Sequence, residues 1–329
     1  MRVFKYRSNY GRDLITLTCN QLFASKYEDL NDPFESMQFM DPINDESFIE
    51  NLPYLTNKAE LKAAYAEVVR LLKTQGVYSL SKDADNEILW ALYSDSHRGF
   101  AIEYETDILL KDFNFDLNIP CAFMFDIEYT NTSRVPKIIQ QALNGKLNIQ
   151  SIIGNKSTAW EKENELRITF EDWGLLTYNH TAVKSIIFGA KARKEDIKNT
   201  MNLLKGRGLK YKQIEISSKK YQLKVKPIED LYPNSPQYYQ NKAFFDKGLL
   251  LKHNLKEYYK YKKQIERIAL KIVELPNILE IREIVLTGDS SEPMLQISCK
   301  NDLRKLTTRN FRFKYIKRKG FIEMTLSQK

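Results

Sequence analysis

Strand-like and helix-like stretches intermix along the first 228 residues without a regular strand–helix–strand repeat, and this excludes a doubly wound parallel sheet more firmly than any motif does. Residues 3–7 alternate as a short strand, 11–19 read as a helix and 22–24 as a strand. From 57 to 73, Leu61, Ala64, Tyr65, Val68, Val69, Leu71 and Leu72 recur at helical spacing, and Gly76 ends that helix. Residues 77–80 then read as a strand and 85–93 as a helix with Asp83 and Asp85 as capping types. A strand at 100–104 follows Gly99. Further strands are expected at 122–129, 165–171, 185–189, 213–216 and 222–226, with helices at 134–143 and 194–204. The order predicts an α+β fold: a mixed, mainly antiparallel sheet with flanking helices over residues 1–228.

Residues 229–240 read as a linker, because the run from 227 to 240 holds three prolines and little apolar periodicity. Beyond it, 241–329 predict a smaller basic α+β module. It begins with a helix over 248–274, striped by Leu251, Leu255, Tyr258, Tyr259, Ile265, Ile268, Ala269 and Ile272, and continues in two hairpin-like strand pairs. The net charge of +9 lies here: residues 240–329 carry 20 Lys and Arg against 10 Asp and Glu, whereas the preceding residues carry 31 against 32. Arg304, Arg309, Arg312, Lys314, Lys317 and Arg318 interleave with Phe311, Phe313 and Tyr315. Such a mixture can follow a phosphate backbone and stack on bases, so residues 300–329 are a candidate surface for nucleic acid or an acidic protein. A strand with exposed cations and buried aromatics gives the same pattern.

Several function classes find little support. There is no Gly-x-Ser-x-Gly elbow for a serine hydrolase. His97, His180 and His253 are isolated, and Cys19, Cys121 and Cys299 are widely spaced, so no metal cluster and no disulfide framework is expected. The charged opening residues lack a signal-peptide core and no stretch is long and apolar enough for a membrane span, which together predict a cytoplasmic protein without membrane contact.

Four separated stretches carry a resemblance: Lys5-Tyr6-Arg7-Ser8; Phe23-Ala24-Ser25 with Asn31-Asp32-Pro33-Phe34; residues 77–104, with Ser79-Leu80-Ser81, Trp90, Tyr93 and His97-Arg98-Gly99-Phe100; and Trp160, Glu163, Glu165 and Arg167, followed by Ile186-Ile187-Phe188-Gly189. Over roughly residues 3–228 the combined pattern resembles the bacterial family called domain of unknown function 2971. Leu166 stands where members often have an aromatic. The layout also looks like that of ADP-ribosyltransferases, with an early basic residue, a Ser-x-Ser strand and a later Glu-x-Glu pair. That likeness implies an NAD-dependent transferase or NAD-cleaving enzyme of bacterial conflict, stress response or phage defence. In it Arg7 would hold dinucleotide phosphates, Ser79 and Ser81 would support the nicotinamide ribose, and Glu163 or Glu165 would bind ribose and stabilise positive charge. Tyr6, Trp90, Tyr93 and His97 join the candidate NAD-binding set.

The residues themselves agree with such chemistry without requiring it. From Glu165 onward apolar Leu166, Ile168 and Phe170 alternate with polar residues, so Glu163, Glu165 and Arg167 are expected to project the same way as the catalytic group. Carboxylates two apart on a strand sit roughly 7 Å apart at the backbone, close enough to share an arginine. A carboxylate beneath a sugar stabilises an oxocarbenium-like state, while a solvated, ion-paired strand face would show the same sequence. Arg7 can grip a phosphate or a carboxylate such as Glu35. His97 can serve as base or merely face a helix end, and Trp90 can be core. Asp32 is expected to hold its loop through an Asx-turn with Phe34 anchored in the core and Glu35 beside it. Two alternatives remain open: a metal-dependent nuclease built on Asp32, Glu35, Glu163 and Glu165, and a non-enzymatic nucleic-acid binder.

Overall fold

The computed structural model describes residues 1–32, 34, 47, 49–51, 57–111, 113–114, 122–131, 150, 153–240, 243–251, 255–275, 277–288, 293–301 and 308–324. Its chain order opens with β1 (Arg2–Arg7), α1 (Tyr10–Thr18), β2 (Gln21–Lys26), α2 (Lys58–Thr74), β3 (Gly76–Ser81), α3 (Glu87–Leu92), β4 (Phe100–Glu105) and α4 (Thr106–Lys111). Then come β5 (Ala122–Asp126), β6 (Glu128–Tyr129), β7 (Asn155–Lys156), a 3-10 turn (Thr158–Glu163), β8 (Glu165–Phe170), β9 (Gly174–Thr177), β10 (Val183–Phe188), α5 (Lys194–Leu203), β11 (Lys210–Ile216) and β12 (Leu223–Ile228). The helix expected over 134–143 lies outside the described residues.

Ten strands form one sheet, ordered β12-β11-β10-β4-β1-β3-β2-β9, with β8 and β5 branching from β3; β10–β11 is its only parallel pairing among the described residues. The fold is therefore α+β, mixed and mainly antiparallel. One face carries the larger core, with Val3, Tyr78, Leu80, Ile102, Leu166, Ile168 and Ile186 packed beneath Leu14 and Leu17 of α1. The other buries Phe4, Tyr6, Ala101 and Ile187 against Leu89 and Trp90 of α3. The alternation along β1, β3 and β8 sorts side chains between these faces, as a period of two requires. The cap of α3 differs from expectation: Asn86, not Asp83 or Asp85, accepts the Leu89 N–H at 3.1 Å. Asp83 instead accepts from Asn164 Nδ2 at 3.1 Å.

The sheet is forked. β8 runs along one whole edge of β3, from Gly76↔Phe170 to Ser81↔Glu165. On the opposite edge β1 meets β3 only at Phe4↔Ser81, and β2 only at Ser25↔Val77 and Lys26↔Gly76. Among the described residues no strand lies beside Tyr78, Ser79 and Leu80 on that edge, and a cavity occupies the gap.

Residues 229–240 contain no helix or strand but lie against the first sheet. The Tyr238 N–H donates to Gly206 O at 2.9 Å, Asn20 Nδ2 donates to the Tyr238 hydroxyl at 2.9 Å, and the Arg207 guanidinium sits 3.9 Å from the Tyr238 ring centre. Past it, α6 (Leu255–Ile272) packs on β13 (Ile278–Thr287), β14 (Met294–Asn301), β15 (Thr308–Ile316) and β16 (Gly320–Glu323). The strands make one antiparallel meander rather than two separate hairpins, since β14 pairs along both edges. Tyr261, Ile265, Ala269 and Ile272 of α6 meet Ile284, Ile297, Phe311 and Phe313. Tyr259, expected in the helix stripe, is exposed.

Candidate functional site

The cavity in the fork holds about 770 Å³ and is lined from β1, α1, β2, β3, α3, β7, β8, β9 and the 3-10 turn. Tyr6, Arg7, Ser79, Ser81, Tyr93, Glu163, Glu165 and Arg167, read from distant parts of the sequence, all line it. Its volume lies within the roughly 300–1,000 Å³ typical of small-molecule and cofactor sites.

One end is a buried cluster of balanced charge. Lys156 Nζ donates to Glu163 Oε2 at 2.5 Å and to Glu165 Oε2 at 3.2 Å. Arg167 donates through Nε to Glu165 Oε1 at 2.7 Å and through Nη1 to Ile153 O at 2.9 Å. The Tyr93 hydroxyl donates to Glu163 Oε1 at 2.7 Å. All six residues of β8 are buried, so its polar face looks into protein and cavity and is not the solvated strand face that the alternation also allowed. Glu163 is not on the strand: it ends the 3-10 turn, and Asn164, at φ 44°, separates it from β8. Lys156 brings the two acids together.

These surroundings set the protonation states. Burial, the largest influence on Glu165, pushes its carboxyl up, but the fields of Arg167 and Lys156 with hydrogen bonds from Arg167 and Ser79 outweigh it and bring the pKa to about 2. Glu165 is a fixed anion at neutral pH, suited to stabilising positive charge and unable to carry a proton. Burial and the Glu163 hydrogen bond push the Tyr93 hydroxyl to about 12, so it stays a donor.

Lys5 and Arg7 line the cavity from β1, their charged groups 4.8 and 5.9 Å from the centre of the Tyr78 ring. Lys5 Nζ donates to Ser79 O at 2.7 Å, capping a carbonyl that the fork leaves without a strand partner. Arg12 and Asp13 from α1 line the same cavity, with Asp13 Oδ1 3.0 Å from Arg12 Nε. Phe23 and Leu175, paired across β2 and β9, and Leu92 form an exposed apolar rim.

Other expectations are corrected. Trp90 is fully buried, donates Nε1–H to Ala84 O at 2.9 Å and does not line the cavity. His97 stacks on Trp90 with centroids 6.4 Å apart and likewise lies away from it. Asp32 forms the expected Asx-turn, its Oδ1 accepting the Phe34 N–H at 3.0 Å, but Phe34 is exposed and anchors no core. Glu35 and Arg304 lie outside the described residues. Of the basic patch, Arg312, Lys314, Lys317 and Arg318 are exposed, whereas Arg309 is buried, 4.6 Å from the Phe311 ring centre, because its side chain falls on the helix-facing side of β15. Among the described residues no three His, Cys, Asp or Glu side chains are grouped as a cation would need, and no helix is long and apolar enough to cross a membrane.

Lys5, Asp13 and Lys156 also line the cavity and Tyr78 lies against Arg7, and none of the four was given a role from the sequence. Lys5 carried a signal, since it shares the β1 alternation with Arg7; the two-residue strand around Lys156 carried none.

Residues 89–168 match the model of a family described as Protein of unknown function (DUF2971). Here the chain resembles DUF2971. No curated protein and no solved structure matches it. The DUF2971 stretch supplies Tyr93, Lys156, Glu163, Glu165 and Arg167, the whole balanced-charge end, while Lys5, Arg7 and Ser79 lie N-terminal to the match.

Proposed function

We propose that the chain is an NAD-cleaving enzyme of the ADP-ribosyltransferase kind, with its site in the fork of the large sheet. One observation carries the reading: Arg7, Ser79, Ser81, Glu163 and Glu165, from four separate elements, line a single cavity of about 770 Å³. A diphosphate against Lys5 and Arg7 and a ribose against Glu163 and Glu165 use both charged sets of the lining, and the rim of Phe23 and Leu175 offers an apolar wall to a base. Breaking the bond between ribose C1′ and nicotinamide sends the electron pair out with nicotinamide and leaves an oxocarbenium-like sugar. Glu165, ionised at every physiological pH, stabilises that positive charge. Tyr93 and Lys156 hold Glu163 in place. Water or an acceptor hydroxyl then adds to C1′ and releases its proton to solvent.

The test is release of nicotinamide from NAD by the purified chain. Wild type should release it, while Glu165→Gln and Arg7→Ala should lower the rate by about 100-fold or more, the scale for losing one preorganised electrostatic group. A wild-type protein that neither binds NAD nor releases nicotinamide overturns the reading.

A second surface rests on a separate observation. Arg312 and Lys314 are exposed on one side of β15 and Lys317 and Arg318 in the following turn, while Phe311 and Phe313 are buried. That arrangement suits electrostatic contact with phosphates without base stacking. Nucleic-acid binding through it should weaken steeply with salt and be lost on neutralising these four residues.

A further inference from the structure

The β1 side of the cavity holds more hydrogen-bond donors than acceptors. The Lys5 ammonium spends one N–H on Ser79 O and, among the described residues, makes no ion pair. Arg7 has five N–H groups. Among the described residues only Nη2 is engaged, with the Tyr78 hydroxyl at 3.3 Å; Nε is buried without a partner there, and Nη1 stands 3.8 Å from Asp13 Oδ1. Asp13 is meanwhile taken by Arg12 Nε and by the Asn9 N–H at 3.1 Å. Buried donors are almost always satisfied, so unspent ones lining a cavity point to an acceptor brought by a ligand. Lys5, Arg7 and Arg12 line this side with Asp13, while the Glu165 and Glu163 carboxylates that also pull on Lys5 are already engaged by Lys156 and Arg167.

We propose that Lys5 and Arg7 together form a subsite for a phosphate-like oxyanion in the gap between β1 and β3. The subsite deepens the NAD reading and rests on it only for the identity of the anion as a diphosphate. Burial, and after it the Arg7 charge on the same strand, bring the Lys5 amine to about 7, against opposing pulls from Glu165 on β8, Asp13 on α1 and Glu163 on the 3-10 turn. Arg12, Lys156 and Arg167 line the same cavity, and the Tyr78 ring lies beneath the amine. An oxyanion against the amine favours its charged form. Below about pH 7 the ammonium already exists and affinity is flat; above it binding must take up a proton, and affinity falls by up to about tenfold per pH unit.

Calorimetric binding of sodium sulfate and of ADP-ribose to the full chain, from about pH 6 to about pH 9, tests this with ligands that do not titrate in that range. Wild type should bind sulfate about tenfold or more tightly at the acid end, Lys5→Arg should bind with less than about twofold change, and Lys5→Met should lose about tenfold at the acid end. Because a variant can misfold, the Lys5 amine is also titrated in wild type by NMR; it should titrate near neutrality and move upward on adding sulfate. No sulfate binding at pH 6, an unchanged pH slope in Lys5→Arg, or a Lys5 amine that titrates as an ordinary lysine would each overturn the subsite. Sulfate binding with the expected slope but no ADP-ribose binding supports the subsite and removes the diphosphate reading of the cavity.

Discussion

Arg167 and Glu165 make a two-point contact inside the protein, Nε to Oε1 at 2.7 Å and Nη2 to Oε2 at 3.3 Å, with both side chains almost wholly withdrawn from solvent. They are neighbours on the same face of β8, so the pair forms as the strand does. Breaking a buried pair leaves a charge without its compensating partner. Arg167→Leu should therefore cost about 3–5 kcal/mol in urea unfolding. The double change Glu165→Gln with Arg167→Leu should cost less than the sum of the two singles, because no uncompensated charge remains. Strict additivity would show that the pair is not coupled.

Acid should weaken the fold through the same carboxylate. Glu165 is held at about 2 in the folded state, below the usual carboxylate range. Its contribution is therefore present above that range and is lost as pH falls from about 4.5 toward about 2, an effect on the order of 3 kcal/mol. Glu165→Gln should flatten this part of the stability-versus-pH curve. A curve as steep as wild type would assign acid sensitivity to other groups.

Gly99 and Gly189 should tolerate no side chain. A Cβ on Gly99 would stand 2.0 Å from Arg7 O, and one on Gly189 2.1 Å from His97 O. The Gly189 N–H also donates to Gly99 O at 2.9 Å. Gly99→Ala should destabilise the protein by on the order of 3 kcal/mol, the upper range for overpacking. It should also weaken sulfate binding, since β1 must shift where it carries Arg7. Chemical denaturation and calorimetry on one sample separate the two effects.

Phe311 and Phe313 should behave as core. Phe313→Ala should cost about 3–5 kcal/mol in denaturant unfolding, whereas Arg312→Ala and Lys314→Ala should change stability by less than about 0.5 kcal/mol. A Phe313→Ala protein of full stability would contradict the packing of α6 on the meander.

Much of this arrangement was legible in the sequence, and the losses have physical causes. Period-2 alternation marked β1, β3 and β8 and put Ser79 with Ser81, and Glu165 with Arg167, on shared faces, because strand geometry is local. The same pattern could not show that the polar face of β8 is buried, since burial depends on what lies opposite. Lys156 was invisible for a related reason: β7 has two residues and its pairing with β6 is parallel, which no local periodicity announces. Trp90 and His97 drew a ligand-binding reading from their place in a recognisable motif, yet they hold the helix-to-strand turn, with His97 at φ 69° and its N–H donating to Trp90 O at 3.0 Å. Packing constrains a motif as tightly as chemistry does. The fork itself is a matter of which strand ends share an edge, and no stretch of sequence records that.

A single rung joins β1 to β3 in the middle of the largest sheet. Wherever neighbouring strands part company, the seam is also the cheapest place for the two halves to hinge, and whatever lodges there acts as a rivet. An occupant should therefore slow amide exchange along Tyr78, Ser79 and Leu80, remote though these are from any loop, and a variant that zipped the seam shut would be sturdier and empty.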